Sequence, residues 1–232
     1  MKLAVHVGDV DEIRRLLSMN PRLAVARLAG RRGGTSTSLH FVTDWPGYFP
    51  NGPDVVHLLV DAGADPNALT TSGDLSTPGP GSETPLHWAA SSDDLEVAEA
   101  LIDRGADLST PDGSIGTPLE NAVGYGCWHV ARLLVARGAN VDTAWVAAAM
   151  GLRDRLDELL GADPGPELVS QAFWHACAAA DRRTAEYLLG RGADLSWEPD
   201  YASGNALDAA TGTSTRQENV VTWLRELGAE PA

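Results

Sequence analysis

A three-residue step, Gly-Ala followed by an acid or its amide, returns five times along the chain: Gly63-Ala64-Asp65, Gly105-Ala106-Asp107, Gly138-Ala139-Asn140, Gly192-Ala193-Asp194 and Gly228-Ala229-Glu230. A leucine stands four residues before each glycine, at Leu59, Leu101, Leu134, Leu188 and Leu224. Seven and eight residues before it stand Val55/Val56, Val97/Ala98, Val130/Ala131, Thr184/Ala185 and Val220/Val221. Spacings of three and four put these side chains on one helix face, and a glycine free to adopt positive φ ends the helix. One such unit cannot bury its apolar face alone, so the recurrence predicts units stacked on their neighbours.

Upstream of the glycine lies a shorter apolar segment, clearest as Thr84-Pro85-Leu86-His87-Trp88-Ala89-Ala90 and Thr117-Pro118-Leu119-Glu120-Asn121-Ala122. The two threonines are 33 residues apart, as are Gly105 and Gly138. Threonine caps a helix, proline is tolerated at its first position, and paired alanines let a neighbour approach closely. On these residues the chain resembles the ankyrin-repeat family, whose 33-residue unit carries T-P-L-H-x-A on a turn and two helices. The resemblance implies an all-α solenoid of about seven helix-turn-helix units with short hairpin-like loops. The Ala-rich, Arg/Asp-rich and Lys-poor composition is similar to that of compact single-domain bacterial members.

Departures from the period mark the irregular units. Trp45 to Pro53 separates two helices where a tight turn is ordinary. Gly63 to Gly105 spans nine residues more than one period, with the surplus in the Gly/Pro/Ser/Thr-rich stretch Thr70 to Ser82. The extra piece Ala144 to Leu160 reads as a helix pair without its hairpin, residues 2–17 as a first pair and Leu207 to Leu227 as a last. One domain over 1–232 is expected, in units of roughly 1–34, 35–67, 68–111, 112–142, 143–165, 166–198 and 199–232.

Charge narrows the partners. Thirty-two acids against 17 Lys and Arg leave a net charge of −15, which repels nucleic acid and anionic membrane surfaces. An apolar content of 44% argues for a folded chain. Two cysteines, Cys127 and Cys177, lack a disulfide or metal-binding pattern, so no metal and no cofactor are expected. Acids at Asp9 and Asp11 interrupt any signal-like start, and the longest apolar run, around Ala144 to Leu152, is too short to span a bilayer. A soluble cytoplasmic monomer is the expectation.

In this family partners usually meet the concave face of the first helices and hairpin tips. If the motif alanines point into the stack, the residue before them and the one four later share the opposite face. Those positions read Phe41 and Trp45, Trp88 and Ser92, Asn121 and Tyr125, Val146 and Met150, His175 and Ala179. The result is an aromatic stripe in a chain with seven tryptophans. Trp and Tyr suit recognition because they join a large apolar face to a polar tip. Phe41, Trp45, Trp88, Asn121, Tyr125 and His175 are therefore the expected ligand-binding residues, holding a protein segment or a small molecule. The insert around Trp45, Tyr48 and Phe49 is expected to fold over one end of this groove.

His40 and His87 fill the slot where family histidines bond between repeats, and Glu120, Trp174 and Asp208 replace them elsewhere. The alternative to a binding module is a cofactor-free enzyme using Asp44, Glu120, His175 or Asp208 as acid or base in a groove lidded by residues 45–53. Nucleophile-elbow, Walker, dinucleotide-binding, zincin and EF-hand motifs are absent. A third reading is an adaptor contacting a protein through loops 74–83, 111–116 and 197–204.

Overall fold

The computed structural model describes residues 1–29, 34–71, 81–111, 113–212 and 214–232. Most of the Thr70 to Ser82 stretch, and with it most of loop 74–83, lies outside the described residues, as does Asp112 of loop 111–116. The chain divides into two compact units, Met1–Asn140 and Val141–Ala232.

The first unit holds four helix pairs: α1 (Lys2–His6) with α2 (Val10–Met19), α3 (Ser38–Val42) with α4 (Gly52–Asp61), α5 (Pro85–Ser92) with α6 (Leu95–Asp103), and α7 (Pro118–Gly124) with α8 (Trp128–Ala136). First helices stack in the order α1, α3, α5, α7 and second helices in the order α2, α4, α6, α8. A short hairpin, β1 (Arg27–Ala29) against β2 (Thr35–Thr37), pairs Arg27 with Thr37 and Leu28 with Ser36, and Thr35 bridges on to Thr71. The second unit holds α9 (Ala144–Ala149) with α10 (Arg153–Leu160), α11 (Pro166–Ala178) with α12 (Arg182–Gly190), and α13 (Ala206–Ala209) with α14 (Thr215–Glu226). Here α11 packs between α9 and α13. Seven helix pairs among the described residues match the expected repeat count. Among those residues no helix is long and apolar enough to cross a membrane.

The recurring sequence step explains where each second helix stops. All five motif glycines have positive φ, from 87° at Gly105 to 96° at Gly63. The following alanine donates its N–H to the carbonyl of the leucine five residues back, as in Ala64 to Leu59 at 2.9 Å and Ala193 to Leu188 at 3.1 Å. The glycine N–H bonds three residues back, completing the Schellman pattern. Those leucines, Leu59, Leu101, Leu134, Leu188 and Leu224, are fully buried. One residue therefore anchors both the stop and the core.

First helices start on a reciprocal cap. Thr84 and Thr117 accept the N–H three residues on, and the residue at that third position reaches back. In two units that residue is histidine: His40 Nδ1 accepts the Thr37 N–H at 3.1 Å and Nε2 bonds the Glu83 carbonyl at 3.0 Å. His87 repeats this with Thr84 and the Gly116 carbonyl, at 3.2 and 3.1 Å. Both imidazoles thus tie one repeat to the next, as the slot implied. Burial keeps them neutral, driving His40 down to about 4 and lowering His87 as well.

The insert after α3 crosses to the turns of both neighbouring pairs. Asn51 donates to the Gly8 carbonyl at 2.9 Å, the Tyr48 N–H donates to Asp94 at 2.6 Å, and the Tyr48 hydroxyl donates to the Asp93 carbonyl. The Trp45-Pro46 peptide is cis. The insert thus runs along the turns between first and second helices, so the expected lid over a first-helix groove is corrected to a clasp at the turn end.

Candidate functional site

The expected stripe is interrupted in the first unit. Phe41 is only 3% exposed, its ring beneath Lys2 Nζ at 4.2 Å, and Asn121 is fully buried. Both readings as open ligand-binding residues need correction, for different reasons. Phe41 packs toward α1, where its neighbour His6 in turn stacks on Phe49 at 4.5 Å. Asn121 lies under the turn at residues 113–116, which folds back along α7. Its Oδ1 accepts the Ile115 N–H at 3.1 Å, and its Nδ2 donates to Glu83 at 2.9 Å and Ser114 at 3.2 Å.

Other members of the stripe remain reachable. Trp88 is half-buried with its ring edge-on to His40 at 5.1 Å. Trp45 is 79% and Tyr125 54% exposed. The Tyr125 hydroxyl meets Ser114 at 3.3 Å, which leans it on the same turn that hides Asn121.

The second unit gathers its aromatics. His175 on α11, 6% exposed, lies 4.6 Å from Trp145 of α9, 4.9 Å from Trp174 and 6.1 Å from Tyr201, ring centre to ring centre. Its Nε2 meets the Tyr201 hydroxyl at 3.1 Å, and Gln171 donates to the same oxygen at 3.2 Å. Trp174 donates its indole N–H to the Gly204 carbonyl at 3.1 Å, and Trp197 donates to Glu167 at 3.0 Å. Tyr201 stays 55% exposed, while Trp145, Trp174 and Trp197 are half-buried. The polar tips of Trp174, Trp197 and Tyr201 are satisfied and the ring faces are partly open, an arrangement suited to receiving another flat or cationic group.

Motif reading places Trp174 beside His175 but does not bring Trp145 or Tyr201 to it. The α9 stripe position was assigned to Val146, which is buried, while its neighbour Trp145 is the ring beside His175. Tyr201 lies in a loop, off the helical spacing. A cluster of aromatics in the 197–204 loop beside α11 was the available signal.

The carboxylates proposed for acid or base work do not assemble. Glu120 accepts from the Thr117 N–H at 2.8 Å, and Asp208 from the Asn205 N–H at 3.2 Å and the Ala232 N–H at 3.0 Å, each closing a helix cap. Asp44 is 3.8 Å from both Lys2 Nζ and His6 Nε2. His175 is driven down to about 4 by burial, and no described carboxylate hydrogen-bonds it. Cys127 is pushed up to about 11 by burial first and Asp93 second, the opposite of an activated thiolate. Its near neighbour His129 bonds Asp93 at 2.6 Å.

Charge is partitioned across the second unit. All seven of its Lys and Arg residues, Arg153, Arg155, Arg182, Arg183, Arg191, Arg216 and Arg225, lie on the second helices or at their ends. Residues 161–181 and 192–214, which carry α11, the 197–204 loop and α13, contain no Lys or Arg but hold seven acids, Asp163, Glu167, Asp181, Asp194, Glu198, Asp200 and Asp208. The aromatic group therefore sits in a negative field.

Residues 39–144 match the family model for ankyrin repeats, in three copies. The chain has the ankyrin-repeat fold. The matched repeats are the second to fourth helix pairs, which include both T-P-L slots and the 33-residue step from Gly105 to Gly138. The crystal structure of the human ASB11 ankyrin repeat domain superposes on this chain with a TM-score of 0.55 at 19% identity, covering 95% of this chain and 96% of that one. At that identity the likeness shows the shared fold. No curated protein matches the sequence. Ankyrin repeats such as those matched over residues 39–144 generally mediate protein–protein interaction.

Proposed function

We propose that this protein is a recognition module whose second unit takes a protein segment bearing arginine or lysine side chains. The segment lies across the first-helix face, its cations against Trp145, Trp174 and Tyr201. The observation that carries the reading is the aromatic group around His175, half open and set among acids with no cation on the same elements. A desolvated cation–π contact contributes about 1–2 kcal/mol, and the negative field raises the encounter rate with a basic partner. Acid–base catalysis is not proposed, because Glu120 and Asp208 are committed to caps and His175 has no carboxylate partner among the described residues.

Fluorescence anisotropy with a labelled Gly-Arg octapeptide and its Gly-Glu counterpart tests this. Binding of the first alone, weakened about tenfold or more by Tyr201→Ala with the thermal transition preserved, supports it. Equal affinity of Tyr201→Ala and the parent chain overturns it, because a diffuse charge attraction would then suffice.

A further inference from the structure

The second unit carries another surface, opposite in sign. Arg153, Arg182, Arg183 and Arg216, with Thr215 and Asn219, line one open groove of about 770 Å³ at the turn end of the helix pairs. Four of the unit's seven arginines thus converge in a chain whose net charge is −15. One carboxylate, Asp181, lines the groove, and both it and Glu186, the ion-pair partner of Arg182, are committed. Asp181 caps α12, accepting from Thr184 N–H at 3.3 Å and its hydroxyl at 2.9 Å, and Glu186 accepts from Arg182 Nε at 2.7 Å.

The remaining cations are unneutralised. Arg183 and Arg216 are exposed and make no hydrogen bond or ion pair with any described residue. Arg153 stacks 3.1 Å over the Tyr187 ring, which fixes its guanidinium plane, and its buried Nε has no hydrogen-bond partner among the described residues. The N-termini of α10, α12 and α14, helices of 8, 9 and 12 residues, begin at this groove, and Leu152 gives α10 no side-chain cap. Helix N-termini add positive potential to that of the arginines.

We propose that this groove binds a small phosphorylated molecule, its phosphoryl oxygens held by Arg153, Arg183 and Arg216. Guanidinium forks match the geometry of a phosphoryl group, and two adjacent phosphoryls balance the free cations. The volume falls within that of small-molecule sites. A long polyanion meets the repulsion of the whole acidic chain, whereas a small ligand sees only charges within a Debye length of about 8–10 Å. The groove shares no residue with the aromatic face, so this inference stands apart from the proposed peptide recognition.

Isothermal titration of the full chain with inorganic pyrophosphate tests it, with Arg183→Gln/Arg216→Gln as the main variant, since both residues are exposed and lack a structural partner. The expected result is single-site binding that weakens at least about tenfold in the double variant and persists in Arg225→Gln. Arg153→Gln, followed with its melting curve, is the second arm, with a comparable loss expected. Absence of binding at about 10 mM pyrophosphate, far above the Kd of a working site, overturns the proposal. So does unchanged affinity in the double variant. Tighter binding of a phosphoserine peptide with neutral flanks than of pyrophosphate overturns the assignment to a small molecule.

Discussion

The Ala106 N–H donates to the Leu101 carbonyl at 3.0 Å across Gly105, and the same leucine's side chain is fully buried between helix pairs. Helix termination and core packing are thus joined in a six-residue span. The same pairing recurs at Leu59 with Ala64, Leu134 with Ala139, Leu188 with Ala193 and Leu224 with Ala229.

Glycine substitutions should separate backbone strain from close approach. A Cβ at Gly105 meets nothing within 4 Å, so Gly105→Ala costs only the positive-φ penalty, about 1–2 kcal/mol. At Gly8, also at positive φ, a Cβ overlaps the Pro50 carbonyl oxygen, so Gly8→Ala must also displace the insert. Urea unfolding should show the larger loss for Gly8→Ala, and equal losses would mean that the insert does not press on that turn.

Asp93 acts across repeats. Its Oδ1 accepts the N–H groups of His129 and Val130, each at 3.0 Å, capping α8, whose own N-cap Cys127 supplies no side-chain bond. Asp93→Ala should destabilise by about 1–2 kcal/mol, with faster amide exchange at the start of α8, while Asp93→Asn should retain part of the cap. Unaltered exchange at Val130 in Asp93→Ala would contradict the cross-repeat role.

Glu120 gives a direct contrast between cap and catalyst. Glutamine closes a capping box as well as glutamate does, so Glu120→Gln should change stability by less than about 0.5 kcal/mol, whereas Glu120→Ala should cost about 1 kcal/mol. Thermal denaturation of the pair decides the matter, and a large loss in Glu120→Gln would indicate a role for the charge itself.

Acid should destabilise the fold through its buried histidines. His40 and His175 are driven to about 4 by burial, below the unfolded value near 6.5. The unfolded chain then binds protons that the folded chain refuses. Their contribution is complete above about pH 6.5 and is lost as pH falls toward 4, on the order of 3 kcal/mol for each group. Chemical denaturation between pH 7 and 4.5 should show this decline. His40→Gln should shallow it, and an unchanged slope would mean that His40 is not held neutral.

Much of the scaffold was legible in the chain because its signals are local. The 33-residue period, the T-P-L caps and the Leu-to-Gly spacing each act within one or two helical turns, and the helix pairs lie where those signals place them. The site was less legible. Phe41, Asn121 and His175 share a sequence offset, yet Phe41 is covered from α1, Asn121 by the turn at 113–116, and His175 by Trp145 and Tyr201.

The sequence by itself determined the repeat, the helix stops and caps, and the confinement of the second unit's arginines to its second helices. Only the tertiary structure decided which aromatics stay open, which carboxylates are consumed as caps, and which arginines share a groove. Caps and helix ends depend on hydrogen bonds between residues three to five apart, which spacing records. Exposure and convergence depend on what a neighbouring repeat or a folded-back loop lays over a side chain, and those contacts join residues 26 to 46 positions apart.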